Sequence, residues 1–226
     1  MTAMSGHVSP YLVPGFYETA LTRGRHRDII GGRWDETGRI QMDMLLRLGL
    51  QPQHRVLDIG CGPLRTGCRL VPFLDPGNYW GTDLSGALMA TGYRQELTEA
   101  DRARLPEGQL VEDGNFDFPG LPRAFDLVLC FAVFTHLPLA HLGHGLRRVA
   151  ERLDFGLFAF TVFLAPDAVA AARPYRQPDG VVTHGDRTPW HVLAEDVTRL
   201  AADAGLKVDF RDDRLPRGQV LCVAQR

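Results

Sequence analysis

Val56-Leu57-Asp58-Ile59-Gly60-Cys61-Gly62 decides how this chain folds. A short apolar strand runs into a Gly-x-Gly turn, and Arg65 to Leu74 then reads as a helix. Glycines let the backbone turn sharply and let a ligand approach closely. The helix behind the turn offers free N–H groups and a partial positive charge.

Outward from this unit, short apolar runs alternate with amphipathic stretches. Strands are expected at Tyr79 to Thr82, Gln109 to Glu112, Phe125 to Phe131 and Leu157 to Leu164, with helices at Leu84 to Glu99 and Pro138 to Leu153. The last two strands are almost continuously apolar, as strands covered on both faces are. The alternation predicts an α/β fold with a doubly wound, mostly parallel sheet. Near the end, a helix is expected over Trp190 to Ala204, stopped by Gly205. Leu206 to Phe210 and Val220 to Ala224 follow with no helix between them, which predicts an antiparallel hairpin and brings the sheet to seven strands.

Composition sets the class. With 226 residues, 45% hydrophobic and 23% charged, one domain with an ordinary core is expected. The formal net charge is -2 and Lys207 is the only lysine, so no basic field suggests a nucleic-acid partner. Cys61, Cys68, Cys130 and Cys222 form no CxxC pair or zinc spacing and read as free thiols in a reducing cytoplasm. Met1 to Pro14 lacks the pattern of a signal peptide, and no apolar run reaches the roughly 20 residues of a membrane span.

The turn speaks for a nucleoside. A dinucleotide fingerprint would place a third glycine at position 65, where this chain has Arg65. Asp83 ends the second strand at the position of a ribose-binding acid. A carboxylate there can accept both ribose hydroxyls. Together these features point to a nucleoside whose other end is not a diphosphate.

Here the sequence resembles the class I S-adenosylmethionine-dependent methyltransferases. VLDIGCG (56–62), GTDLS (81–85) and FDLVLCFAVFTHL (125–137) look like three of their motifs, and the match to their Rossmann-like core covers residues 54–164. The resemblance implies S-adenosylmethionine as cofactor. Gly60, Cys61 and Gly62 would border its methionine part, Asp83 would hold the ribose and Leu84 would pack on the adenine; Asp58 would be a further cofactor contact, and Arg65 a partner for the cofactor carboxylate or an anionic acceptor. Asp113, Gly114 and Asn115 would read the adenine edge, and Phe131 and Ala132 would line the cofactor after the fourth strand. The segment 31–65 together with 73–85 is similar to a bacterial subgroup that accompanies sugar, polysaccharide or secondary-metabolite pathways.

In methyl transfer the cofactor carries the activation, and the protein aligns acceptor and methyl. A base is needed only for a protonated acceptor such as a hydroxyl. His136, just after the fourth strand, is the candidate base; the alternative is a histidine that orients a loop. Tyr17, Trp34, His184 and Trp190 are candidate acceptor contacts, with residues 1–50 as a helical lid and 165–188 as a substrate-side insertion. His26, His191 and Arg33 are secondary candidates, and His141 and His144 are expected to face solvent. The position after the fourth strand reads Cys130-Phe131-Ala132-Val133, with no acid for a metal, so a metal-independent reaction is expected.

The resulting expectation is a small-molecule methyltransferase acting on oxygen, with no nucleic-acid or membrane partner and a possible homodimer. The alternatives are transfer to nitrogen or a peptide, a cofactor-binding protein that does not methylate, and a nicotinamide-dependent reductase.

Overall fold

A computed structural model describes Ser9, Tyr11, Val13 and residues 15–226. Most of the stretch read for a signal peptide lies outside the described residues. Helices α1 (Phe16–Thr22) and α2 (Trp34–Arg47) precede β1 (Val56–Ile59). Then follow α3 (Gly67–Phe73), β2 (Tyr79–Asp83), α4 (Gly86–Glu96), α5 (Glu99–Arg104), β3 (Leu110–Glu112), β4 (Ala124–Cys130), α6 (Leu139–Arg152) and β5 (Asp154–Leu164). The remainder comprises α7 (Ala168–Ala171), β6 (Tyr175–Arg176), β7 (Val182–Thr183), β8 (His191–Val192), α8 (Ala194–Asp203), β9 (Lys207–Leu215) and β10 (Gln219–Gln225).

The main path of the sheet runs β3-β2-β1-β4-β5-β10-β9. Its first five strands are parallel, whereas β10 is antiparallel to both β5 and β9. The expected seven strands and C-terminal hairpin are therefore present, with the two residues of β8 added beside the end of β5.

Alternation along each strand divides the core into two layers. Val128 and Cys130 of β4, and Phe158, Phe160 and Val162 of β5, pack on Leu142, Leu146 and Val149 of α6 and Val197 of α8. Leu127 and Leu129 of β4 and Val56 of β1 face the opposite way, onto Met44 and Leu45 of α2, Leu70 of α3 and Met89 of α4. Thus α2 packs against the sheet as part of the core. Cys61, Cys130 and Cys222 are buried free thiols, and Cys68 is half-buried. No described helix is long and apolar enough to cross a membrane.

Two expected helices differ. The one over Leu84 to Glu99 breaks at Leu97, because Thr98 starts α5 with a capping box: its hydroxyl accepts from the Asp101 N–H, and its own N–H donates to the Asp101 carboxylate. The one expected from Trp190 begins at Ala194. His191 and Val192 are extended instead, paired with Phe163 and Leu164 of β5.

Candidate active site

Chain order reverses across the sheet between β1 and β4, and such a switch point opens a crevice at the carboxyl ends of the strands. There the Gly60 and Cys61 N–H groups both donate to the Thr82 carbonyl, at 2.7 and 2.9 Å, tying the exit of β1 to β2. Gly60 has φ 72° and Gly62 φ 54°, the left-handed region that favours glycine. A Cβ on Gly60 would stand 2.2 Å from Val133 Cγ2. The glycine therefore keeps open the space where the β1 and β4 loops meet.

Asp83 is buried at the end of β2. One carboxylate oxygen accepts from the Gly62 N–H at 2.9 Å and the other from the Ser85 N–H at 3.0 Å. Burial outweighs these bonds and raises its pKa to about 6. Asp58, whose carboxylate accepts from the Tyr79 hydroxyl at 3.0 Å, is pushed up to about 7 by burial. After β3, the Asp113 carboxylate accepts backbone N–H groups of Asn115, Asp117 and Phe118 at 2.9, 3.2 and 2.8 Å, so it staples its own loop. After β4, Ala132 takes a left-handed φ of 60°, and its N–H donates to Thr161 Oγ1 at 2.8 Å. That non-glycine strain turns the backbone at the cavity wall.

These loops enclose a cavity of about 340 Å³. Asp58, Gly60, Cys61, Gly62, Arg65, Asp83, Leu84, Asp113, Gly114, Asn115, Phe131 and Ala132, all twelve expected cofactor contacts, line it, as do Tyr17 and His136. Trp34, His184 and Trp190 do not. Trp34 is buried, with the Arg27 guanidinium 4.9 Å from its ring centre. His184 and Trp190 pair with each other in a β-bridge in the insertion. His141 is exposed, as expected, whereas His144 is half-buried, and both line the cavity; His144 Nε2 lies 3.1 Å from the Asn115 carbonyl. Their one-turn spacing puts both on the face of α6 turned to that loop.

Sequence reading missed Tyr11 and Ile30, which also line the cavity. Tyr11 donates to the Ile29 carbonyl at 3.1 Å and meets the His136 ring edge-on at 4.8 Å. Tyr17 lies 6.3 Å from Tyr11, ring centre to ring centre. Of the secondary candidates, His26 pairs with Glu96 at 2.5 Å, Arg33 pairs with Asp179 at 3.2 Å, and His191 lies 2.8 Å from the Thr183 hydroxyl. None of the three lines the cavity.

His136 Nδ1 lies 3.2 Å from the Thr188 hydroxyl. Burial, reinforced by the Arg217 charge, lowers its pKa to about 4, so it is neutral at physiological pH. No group of three or more His, Cys, Asp or Glu side chains among the described residues is arranged to hold a metal ion.

The cavity fits a nucleoside with an amino-acid tail. The glycine turn leaves room for close approach, the buried acid keeps lone pairs for hydroxyls, and a buried guanidinium nitrogen, Arg65 Nε, has no partner. Comparisons with known proteins agree. Residues 57–156 match the methyltransferase domain family. Trans-aconitate 2-methyltransferase of Rhodopseudomonas palustris (strain BisB18) is 31% identical over 125 residues, which are 55% of this chain and 44% of that protein. The match therefore spans less than half the length of that relative. Magnesium protoporphyrin IX methyltransferase from Synechocystis PCC 6803, solved with bound SAM, shares the fold with a TM-score of 0.64 at 16% identity over 100% of both chains. The [4+2]-cyclase SpnF shares it with a TM-score of 0.62 at 16% identity, over 84% of this chain and 81% of that one. Residues 57–156 thus carry a methyltransferase domain, and the chain shares its fold with a methyltransferase solved with bound SAM.

Proposed function

We propose that the chain transfers a methyl group from S-adenosylmethionine to a hydroxyl of a small molecule, without a metal. The observation that carries this reading is the joint placement of the Gly60–Gly62 turn and the buried Asp83 on one cavity. The relative named for trans-aconitate supports a small-molecule acceptor.

When bound, S-adenosylmethionine supplies a methyl group already activated on a sulfonium. In this reading Gly60, Cys61 and Gly62 border its methionine part and Asp83 accepts from the ribose hydroxyls. Leu84 covers the adenine, while Gly114 and Asn115 meet its edge. Phe131 and Ala132 close the wall after β4, and Tyr17 excludes water above Asp83. His136, neutral and held at Nδ1 by Thr188, leaves Nε2 to accept a hydrogen bond from the acceptor hydroxyl. A conjugate acid near 4 makes it a weak base, so its main task is orientation, and it receives the proton late.

The test is calorimetric titration with S-adenosylmethionine and S-adenosylhomocysteine, followed by turnover on a broad panel of hydroxylated small molecules. Micromolar binding with methylated product supports the reading. Binding without turnover on any acceptor points to a cofactor-binding protein that does not methylate. NAD(P)H binding in place of S-adenosylmethionine overturns the reading in favour of a reductase.

A further inference from the structure

Thr161 stands in the apolar run of β5, between Phe160 and Val162, and is fully buried. Valine has nearly the same shape and would bring no polar atom to satisfy. The hydroxyl has two partners, both outside its own strand. It accepts from the Ala132 N–H at 2.8 Å and donates to Gln219 Oε1 at 2.8 Å. Gln219 opens β10 and is also buried. Leu221 is the rung opposite Thr161, so Gln219, two residues away, shares its face of the sheet.

These bonds fall where the sheet lets go of β4. The parallel ladder of β4 and β5 ends at Cys130 and Phe160. Beyond it the chain leaves for the cavity, with Ala132 at a left-handed φ of 60°. A residue other than glycine keeps such a conformation only where its surroundings over-determine it. Here both polar atoms of the Ala132 backbone are held. Its N–H donates to Thr161, and its carbonyl accepts from the Thr135 hydroxyl at 3.2 Å. A hydroxyl is free to rotate. Donation to Gln219 fixes the Thr161 proton, and with it the lone pair that the Ala132 N–H meets. Next along the chain come Val133, packed beside Gly60, and then His136.

We propose that Thr161 and Gln219 are positioning residues for the wall of the cavity that follows β4. Neither lines the cavity. They act through the Ala132 turn, which sets where Phe131, Ala132 and Val133 stand on that wall, and so tune the affinity for S-adenosylmethionine. The proposal rests on the methyltransferase reading for the ligand only. The hold on the turn is a property of the folded chain.

The test compares the wild type with Thr161→Val, Thr161→Ser, Gln219→Met and the double variant of Thr161→Val with Gln219→Met. Two quantities are read: S-adenosylhomocysteine affinity by calorimetry, and ligand-free amide hydrogen exchange across residues 130–137 by mass spectrometry. Val197→Ala, on the buried face of α8, is the control for lost stability alone. Thr161→Val should weaken binding about tenfold and speed the exchange, because the Ala132 N–H then has no acceptor. Thr161→Ser keeps the hydroxyl and should stay within about twofold of the wild type. Gln219→Met should fall between them, and it carries the test if Thr161→Val does not fold. The double variant should bind no more weakly than Thr161→Val, because both changes cut one chain of bonds. Val197→Ala should lower the melting temperature and leave the affinity unchanged. Wild-type affinity in Thr161→Val or Gln219→Met overturns the proposal for that residue, and equal losses in Thr161→Ser and Thr161→Val overturn the role of the hydroxyl. A wild type that binds no S-adenosylhomocysteine overturns the methyltransferase reading instead. Exchange across residues 130–137 then decides the hold on the turn, and equal exchange in the wild type and Thr161→Val would sink it.

Discussion

The Asp83 carboxylate accepts a hydrogen bond from the Gly62 N–H at 2.9 Å, joining the acid that ends β2 to the glycine turn that follows β1. The side chain proposed to hold the ribose is thus also a strut of the turn proposed to hold the methionine part. Replacing Asp83 by Asn keeps the size of the group but sets an amide NH2 against one of two backbone donors, Gly62 N–H or Ser85 N–H. The expected result is a 10- to 100-fold weaker affinity for S-adenosylhomocysteine, equivalent to ~1.4–2.8 kcal/mol, with a melting temperature lower by a few degrees. Calorimetry and a thermal melt on the same sample measure both.

The acid also sets a pH dependence. Its pKa in the folded chain is raised from 3.8 to about 6, so between these values the folded state keeps a proton that the unfolded state gives up. Stability from this group is therefore highest at low pH and falls as pH rises through that window. Ligand binding runs the opposite way, because the ionised carboxylate is the better acceptor. Affinity for S-adenosylhomocysteine should climb between pH 5 and 7 with a midpoint near 6. A flat profile in the wild type, or an equal slope in Asp83→Asn, would show that Asp83 is not the group responsible.

The cofactor side was legible in the sequence for a local reason. Gly60, Gly62, Asp83, Asp113 and Ala132 all sit at carboxyl ends of parallel strands, so strand order alone gathers them. The contacts of the N-terminal segment were not legible, because they are set by packing between distant parts of the chain. Tyr11 reaches the cavity through its bond to Ile29, and Trp34 turns away from it under Arg27. His184 and Trp190 failed as cavity residues because the insertion folds on itself as a bridge. Nothing in local periodicity announced that two extended residues, His191 and Val192, would pair with β5.

Gly60→Ala tests the turn by shape alone. The added methyl would need a left-handed backbone and would overlap Val133 Cγ2 at 2.2 Å. Overpacking of this kind costs ~1–3 kcal/mol and the backbone conformation adds ~1. A fall of several degrees in melting temperature and loss of detectable cofactor binding are expected. Val133→Ala on the same background removes the overlap and should restore part of the stability, but not the part owed to φ.

His136 gives a stability signature of opposite sign to that of Asp83. Burial lowers its pKa from 6.5 to about 4, so between those values the unfolded chain takes up a proton that the folded chain refuses. Stability from this group is therefore lost as pH falls from 6.5 toward 4 and regained as it rises. The full swing is on the order of 3 kcal/mol. Tyr11, Thr188 and Arg217 face the ring, and Arg217 is the charged group that adds to the shift. Melts from pH 4 to 7 should show His136→Gln less acid-sensitive than the wild type. Equal acid sensitivity would mean that the ring protonates in place and is not held neutral.

The segment between α1 and α2 is fastened at Glu96, the last residue of α4. Its carboxylate takes His26 at 2.5 Å and Arg27 at 2.8 and 2.6 Å, and so holds the segment between α1 and α2 against the core. Tyr17 and Ile30, on either side of that fastening, both line the cavity. Glu96→Ala would leave His26, only 7% exposed, without its partner. Breaking one side of a buried pair costs more than the pair contributes when intact, ~3 kcal/mol or more if the site stays closed. Local opening of this segment is the cheaper response, because it carries Gly24, Gly31 and Gly32 and little buried apolar surface. Limited proteolysis should therefore cut Glu96→Ala faster within residues 23–33, while the global melting temperature falls only slightly. Stopped-flow release of S-adenosylhomocysteine should quicken by about the same factor as that cleavage. Faster cleavage with unchanged release would separate this segment from the cofactor and assign Tyr17 to the wall alone.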